Sequence, residues 1–268
     1  MSDPIAPDAI ILVGGKGTRL QPVVKDRPKP MAEVLGRPFL EWLLMGLRSQ
    51  GIRRVVLATG YRAEVIQHHF TGPLPLGLEL VFSQELVPLG TGGALRNTLG
   101  QLSTDRVLVL NGDSTCSFDL PTMMEAHLRA GALATLWLVP MEDCSRYGSV
   151  ELDGEGRVSG FREKSSLPSS GLINAGIYLL EERLLQMIPP GQATSLERDV
   201  FPSLIGRGMS AVVGQGPFLD IGTPETYAMA DRFLAENRLE MAPSGPEGKN
   251  KPAESQAERK VACGVVSR

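Results

Sequence analysis

Cysteine is scarce in this chain: Cys116, Cys144 and Cys263 are the three it has in 268 residues. So widely spaced, they form neither a zinc-ligand pattern nor a disulfide framework, and they read as unpaired thiols of a reducing cytoplasm. Surplus positive charge is missing too. The formal net charge is −3, whereas a general nucleic-acid binder carries a basic excess, so any anion site must be a local concentration of cations. No apolar run is long enough to cross a bilayer. The opening MSDPIAPDA lacks the basic start and apolar core of a secretory leader. These absences point to a cytoplasmic protein with neither membrane nor nucleic acid as partner. Its hydrophobic content of 42% and mean hydropathy of −0.02 suit a globular chain, long enough for one large domain or two modest ones.

What is present begins with LVGGKGTRL, residues 12–20, where a branched apolar run breaks into glycine and emerges basic. Two phosphate-binding loops are excluded by what this stretch lacks. Counted from Gly15, the dinucleotide fingerprint G-x-G-x-x-G has Leu20 in place of its last glycine, and no Gly-Lys-Ser/Thr triplet completes a P-loop. The loop nonetheless carries Lys16, Arg19, Lys25, Arg27 and Lys29 against Asp26 alone. Glycines let backbone N–H groups approach an anion and the cations neutralise it. The plain alternative is a solvated basic loop.

Short apolar runs alternate with amphipathic ones. AIILVGG, RRVVLATG, LELVFSQE, RVLVLNGDS and ALATLWLVP read as strands. RPFLEWLLMGLRSQG, with Pro38 near its start and Gly51 past its end, reads as a helix, as do RAEVIQHHF, GGALRNTLGQL and LPTMMEAHLRAG. The alternation predicts an α/β fold, a mostly parallel sheet flanked on both faces by helices. The later half differs. GSVELDGEGRVSGFREK turns at Asp153-Gly154-Glu155-Gly156 as a hairpin, GLINAGIYLL and SAVVGQ are extended, and SLERDVFPSLIGRG and PETYAMADRFLAENRL are helical. The sequence has no internal repeat. Residues 8–240 read as one domain, with an α/β half over 8–140 and a more β-rich half over 141–240. Residues 241–268, rich in Pro, Gly and charge, read as a disordered tail.

In parallel α/β sheets ligands bind beyond the carboxyl ends of the strands, here Gly14-Gly15, Ser83-Gln84 and Asn111-Gly112-Asp113-Ser114. Asp113 beside a cationic loop suits a Mg²⁺ bridge to phosphates, against the plainer reading of a turn cap. Asp220 in FLDIGTPETY is a second carboxylate for one ion or two. Thr223 is better placed than Asp220 to cap the helix that follows. Glu163 and Lys164 alone would pass for an ordinary surface pair. Asn174 is an amide in an apolar strand and needs partners. Adjacent His68 and His69 point apart on a helix and make no metal site. The group Trp42, Leu43, Leu44 and Leu47 reads as helix core.

In order along the chain, LVGGKGTRLQP, RPKPM, GTGGAL, LNGDS, FREK, NAGIY and DIGTPETY resemble the sugar-1-phosphate nucleotidylyltransferases from about residue 8 to 235. VVKDRPKPMAEVLGRPFLEWLL, PLGTGGAL, SRYGSVELD and SLERDVFPSL look most like the D-glycero-D-manno-heptose 1-phosphate guanylyltransferases. The resemblance implies a Rossmann-like sheet of the nucleotide-diphospho-sugar transferase type, with a nucleotide-binding half over 8–140 and a smaller β-rich, sugar-binding half over 141–240. It implies that Gly14, Gly15, Gly17, Thr18, Arg19 and Lys29 bind the triphosphate and that Gln84 and Gly90 read the base. Asp113 and Asp220 would hold Mg²⁺, and Gly148, Glu163, Lys164 and Asn174 would hold the sugar phosphate. Arg19, Lys29, Asp113 and Lys164 would be the catalytic set. The implied reaction joins GTP and a sugar 1-phosphate into a GDP-sugar and pyrophosphate, and a homo-oligomer is compatible with it. SQELVPLGTGG does not itself declare guanine. A mannose-1-phosphate guanylyltransferase, a dTDP- or UDP-hexose enzyme and a non-catalytic nucleotide-binding module stay open as alternatives. An NAD-dependent oxidoreductase is disfavoured by the missing glycine.

Overall fold

The computed structural model describes residues 6–72, 77–147, 149–162 and 169–237. The chain opens with β1 (Asp8–Val13), a one-turn 3-10 helix (Lys29–Met31) and the two-residue strands β2 (Glu33–Val34) and β3 (Arg37–Pro38). There follow α1 (Phe39–Ser49), β4 (Arg54–Thr59), α2 (Ala63–His69), β5 (Glu79–Gln84) and α3 (Gly90–Asn97). Next come β6 (Arg106–Asn111), β7 (Ser114–Cys116), α4 (Leu120–Ala130) and β8 (Ala134–Met141). The hairpin predicted around residues 153–156 forms from β9 (Ser149–Leu152) and β10 (Val158–Arg162). Last are β11 (Gly171–Glu181), α5 (Glu182–Gln186), α6 (Phe201–Leu204), β12 (Met209–Val213), β13 (Phe218–Asp220), α7 (Pro224–Ala228) and α8 (Ala230–Asn237).

β6, β1, β4 and β5 lie side by side and parallel, so their carboxyl ends share one rim. This is the parallel sheet that continuous apolar runs predict: Ile10 and Ile11 point to opposite faces and both are fully buried. One apolar cluster joins Ile11, Leu57 and Leu110 to α1 through Leu44 and Leu47. The other joins Ile10, Val56 and Val109 to Leu95 of α3 and Leu184 of α5. The sequence-predicted core group on α1 is in place, and the buried Trp42 donates its Nε1–H to the Val34 carbonyl at 2.9 Å.

The sheet departs from simple alternation at β11. This strand runs antiparallel to β6 on one side and to β8 on the other, so β8 keeps the direction of β6 without touching it. Its early residues pair with β9, and β12 adds outside β8 in parallel. Between Asn174 and Tyr178 the register with β8 slips by two residues, a bulge that re-aims the strand next to the site.

Helical SLERDVFPSLIGRG is shorter than expected. It forms a five-residue π turn over Leu196–Val200 and the four-residue α6, because Pro202 has no N–H to extend the ladder. The final helix is interrupted at Met229. Thr223 caps α7 in a capping box, as the sequence suggested. Among the described residues no helix is long and apolar enough to cross a membrane. The tail 241–268 lies outside the described residues, as do Gly148, Glu163 and Lys164.

Candidate active site

Three cavities open along the carboxyl rim of the sheet, and Asp113 borders all of them. The first, about 580 Å³, is lined by Gly14, Gly15, Gly60, Tyr61, Glu85, Leu86 and Gly90 among others. The second, about 250 Å³, lies beside it and is bordered by Gly15, Gly17, Thr18, Arg19 and Lys29. The third, about 170 Å³, is bordered by Arg19, Lys29, Arg146, Tyr147, Asn174 and Asp220.

The loop after β1 builds the middle cavity. Gly17 holds φ +58, and a Cβ there would lie 2.9 Å from Lys29 Cβ, so only glycine lets the loop fold against the lysine stem. Leu20 closes the turn with its N–H on the Gly17 carbonyl at 3.0 Å and buries its side chain. The residue that breaks the dinucleotide fingerprint is thus a core plug. From the 3-10 turn Lys29 reaches back until Nζ lies 2.7 Å from Asp113 Oδ2, with 9% of its side chain exposed and 44% of the aspartate's.

Asp220 arrives from the far end of the chain. β13 pairs antiparallel with β7, so Asp220 stands opposite Ser114, and the Ile221 N–H donates to the Asp113 carbonyl at 2.9 Å. Asp220 Oδ1 accepts the Gly222 N–H at 2.8 Å, and Oδ2 accepts the Tyr147 hydroxyl proton. The Tyr147 ring packs edge-on against Phe218, and burial, then the bond to Asp220, push its hydroxyl well above the usual tyrosine range. Tyr147 therefore stays a donor. Asn174 has its partners: Nδ2 donates to the Tyr178 hydroxyl and Oδ1 accepts the Gly176 N–H, both at 2.9 Å.

A metal would find two carboxylates from remote segments on one cavity that Arg19 and Lys29 also border. Among the described residues no group of three or more His, Cys, Asp or Glu forms a closed cage. Two hard carboxylates plus substrate phosphates and water is the donor set Mg²⁺ takes, so the residues present fit that ion.

Of the base-reading residues expected from sequence, Gly90 lines the first cavity and Gln84 does not. Gln84 is exposed on the last position of β5, where side chains alternate, and its neighbour Glu85 turns inward instead. Glu85 Oε2 accepts the Leu89 N–H at 3.0 Å, and its backbone N–H donates to the Thr59 carbonyl at 2.9 Å. Burial pushes its carboxyl up, partly offset by the Leu89 bond. Gly90, at φ +70, starts α3 so close to the Thr194 carbonyl that a Cβ would sit 2.6 Å from it. Sequence reasoning also missed Arg146 and Tyr147. The stretch SRYGS offered no periodic signal, only a cation and an aromatic at a strand start.

The sequence profile of the nucleotidyl transferase family matches residues 8–237. A mannose-1-phosphate guanylyltransferase of Mycobacterium tuberculosis is 39% identical over 240 residues, covering 88% of this chain and 66% of that protein. A D-glycero-alpha-D-manno-heptose 1-phosphate guanylyltransferase of Aneurinibacillus thermoaerophilus is 37% identical over 228 residues, covering 85% of this chain and 98% of that one. Among solved structures, HddC from Yersinia pseudotuberculosis complexed with GMP-PN superposes with a TM-score of 0.76 at 35% identity, covering 85% of this chain and 99% of its own.

Proposed function

The chain belongs to the nucleotidyl transferase family, and from that premise we propose that it transfers GMP from GTP to D-glycero-α-D-manno-heptose 1-phosphate. The products are a GDP-heptose and pyrophosphate. The observation that carries this reading is the row of three cavities meeting at Asp113, with the Glu85 carboxylate in the first. Guanine presents two adjacent N–H donors on one edge, and a carboxylate, which only accepts, suits that pair. Uracil and thymine present one donor between two carbonyls. Heptose 1-phosphate as acceptor is favoured by the 37% identity to the Aneurinibacillus thermoaerophilus enzyme; the chain spans 66% of the mycobacterial mannose enzyme. Mannose 1-phosphate is the second reading, favoured by the 39% identity to that enzyme.

The reaction is an in-line displacement at the α-phosphorus. A phosphate oxygen of the sugar phosphate forms the new P–O bond, the bond to the bridging α–β oxygen breaks, and pyrophosphate leaves with that electron pair. The nucleophile is already ionised near neutrality, so no side chain need remove a proton. The barrier is repulsion between two polyanions. Arg19 and Lys29 counter it and stabilise the charge that grows on the leaving group. When bound, Mg²⁺ would supply further charge neutralisation from Asp113 and Asp220. Arg146 and Asn174 border the acceptor side, and orienting the nucleophile there is a positional contribution. From the resemblance we assign Lys164 the acceptor phosphate, and we propose that the reaction runs in the cytoplasm, where GTP is supplied.

The test is pyrophosphate release with Mg²⁺ and GTP, UTP or dTTP, each with heptose 1-phosphate and mannose 1-phosphate. GTP with heptose 1-phosphate should have the highest kcat/KM. In Glu85→Gln the preference for GTP over inosine triphosphate, which lacks the exocyclic amine, should shrink roughly ten-fold, the loss of one charge-assisted hydrogen bond. Highest turnover with UTP or dTTP, or an unaltered preference in the variant, would refute the guanylyl reading.

A further inference from the structure

A purine offers a protein two different surfaces, a polar edge that identifies it and two flat faces that any base shares. Glu85 accounts for an edge. The faces need apolar or aromatic cover, and the first cavity has three such side chains that neither sequence motif nor family resemblance singled out. Leu86 is 93% exposed and Val87 61% exposed, and both line the cavity. Tyr61, in the loop between β4 and α2, lines it as well.

Tyr61 is held with some care. Its N–H donates to the Gly14 carbonyl at 3.1 Å, which ties this loop to the glycine loop after β1. The next residue, Arg62, adopts φ +52, a left-handed conformation that costs a residue with a Cβ. Its guanidinium carbon lies 5.7 Å from the Tyr61 ring centroid, within cation–π range. A large apolar side chain left almost bare at a cavity mouth gains most when a ligand covers it.

We propose that Tyr61 and Leu86 are the face-binding residues for the nucleotide base, giving affinity without identity, while base identity is left to the polar edge. This rests on the nucleotide reading of the first cavity. Base faces are alike across purines, so losing a stacking or apolar contact weakens all of them equally.

Calorimetric titration of GTP and inosine triphosphate, with Mg²⁺ and without sugar phosphate, tests this on the full chain. Tyr61→Ala and Leu86→Ser should each raise both dissociation constants roughly ten-fold, with their ratio unchanged. Tyr61→Phe should bind as the parent does. Leu86 is a surface side chain, so its variant keeps the test valid should Tyr61→Ala fold poorly. Unchanged affinity in both Tyr61→Ala and Leu86→Ser, a shifted GTP-to-inosine triphosphate ratio, or an equal loss in Tyr61→Phe would overturn the assignment. A parent chain that binds neither nucleotide would bring down the proposed function with it. A binding parent with unaffected variants would bring down this inference alone.

Discussion

Under the proposed function, Lys29 and Asp113 are a pair that serves both the resting fold and the reaction. Their 2.7 Å contact satisfies a lysine that is almost buried, and an unpaired cation there would be costly. Under the proposed function, a triphosphate would give Lys29 a second anion and leave the carboxylate available for a metal. Asp113→Asn keeps the volume but removes the charge. Turnover should fall by roughly two orders of magnitude, the scale of losing one electrostatic stabiliser, in steady-state assays at saturating Mg²⁺. Near-normal turnover would take Asp113 out of the metal role. At this scale the sequence was legible wherever glycine or charge clustered, as at Gly17, Arg19 and Lys29. At the end of β5 the first cavity takes Glu85 and not its neighbour Gln84, since strand alternation at a boundary cannot be phased from composition. Arg146 and Tyr147 were illegible because nothing local marks a polar side chain that a distant strand recruits.

Among the elements, the long strands were legible because their apolar runs are continuous and must be covered on both faces. The three-residue strands β7 and β13 were not, though their pairing is what sets Asp220 opposite Ser114. Nor could the insertion of β11 between β6 and β8 be read, since strand order depends on tertiary packing. The start of α3 gives a test at this scale. Gly90 combines φ +70 with the close Thr194 carbonyl, a backbone group that cannot rotate aside. Gly90→Ala should destabilise the fold by about 1–3 kcal/mol and raise the KM for GTP. A melting temperature and KM both equal to the parent's would show that the α3 start tolerates a side chain.

For the molecule as a whole, the far rim of the sheet carries a titrating group the chemistry does not use. His127 on α4 is buried, with Nδ1 2.8 Å from Thr135 Oγ1 and Nε2 3.2 Å from Glu181 Oε1. Glu181 also accepts from Arg106 Nε at 2.8 Å. Burial pushes the His127 pKa down, and the Glu181 bond opposes this only in part. The unfolded chain therefore binds the proton more readily. The stabilisation is complete above the unfolded value of about 6.5 and is lost as pH falls through the lower folded value. Urea midpoints for the parent and His127→Gln should converge as pH falls from about 7 through and below the unfolded value of about 6.5. A constant difference over that range would exclude His127 as the titrating group.

β11 has one more consequence. The strand belongs by sequence to the later half of the domain, yet it supplies the hydrogen-bonding partner for β6 and β8 of the earlier half. Scission near residue 140 would not release two folding units. It would bare the edges of two apolar strands, and such edges template aggregation. Circular permutation or split-protein complementation of this chain must therefore keep residues 171–181 on the same fragment as the strands they separate.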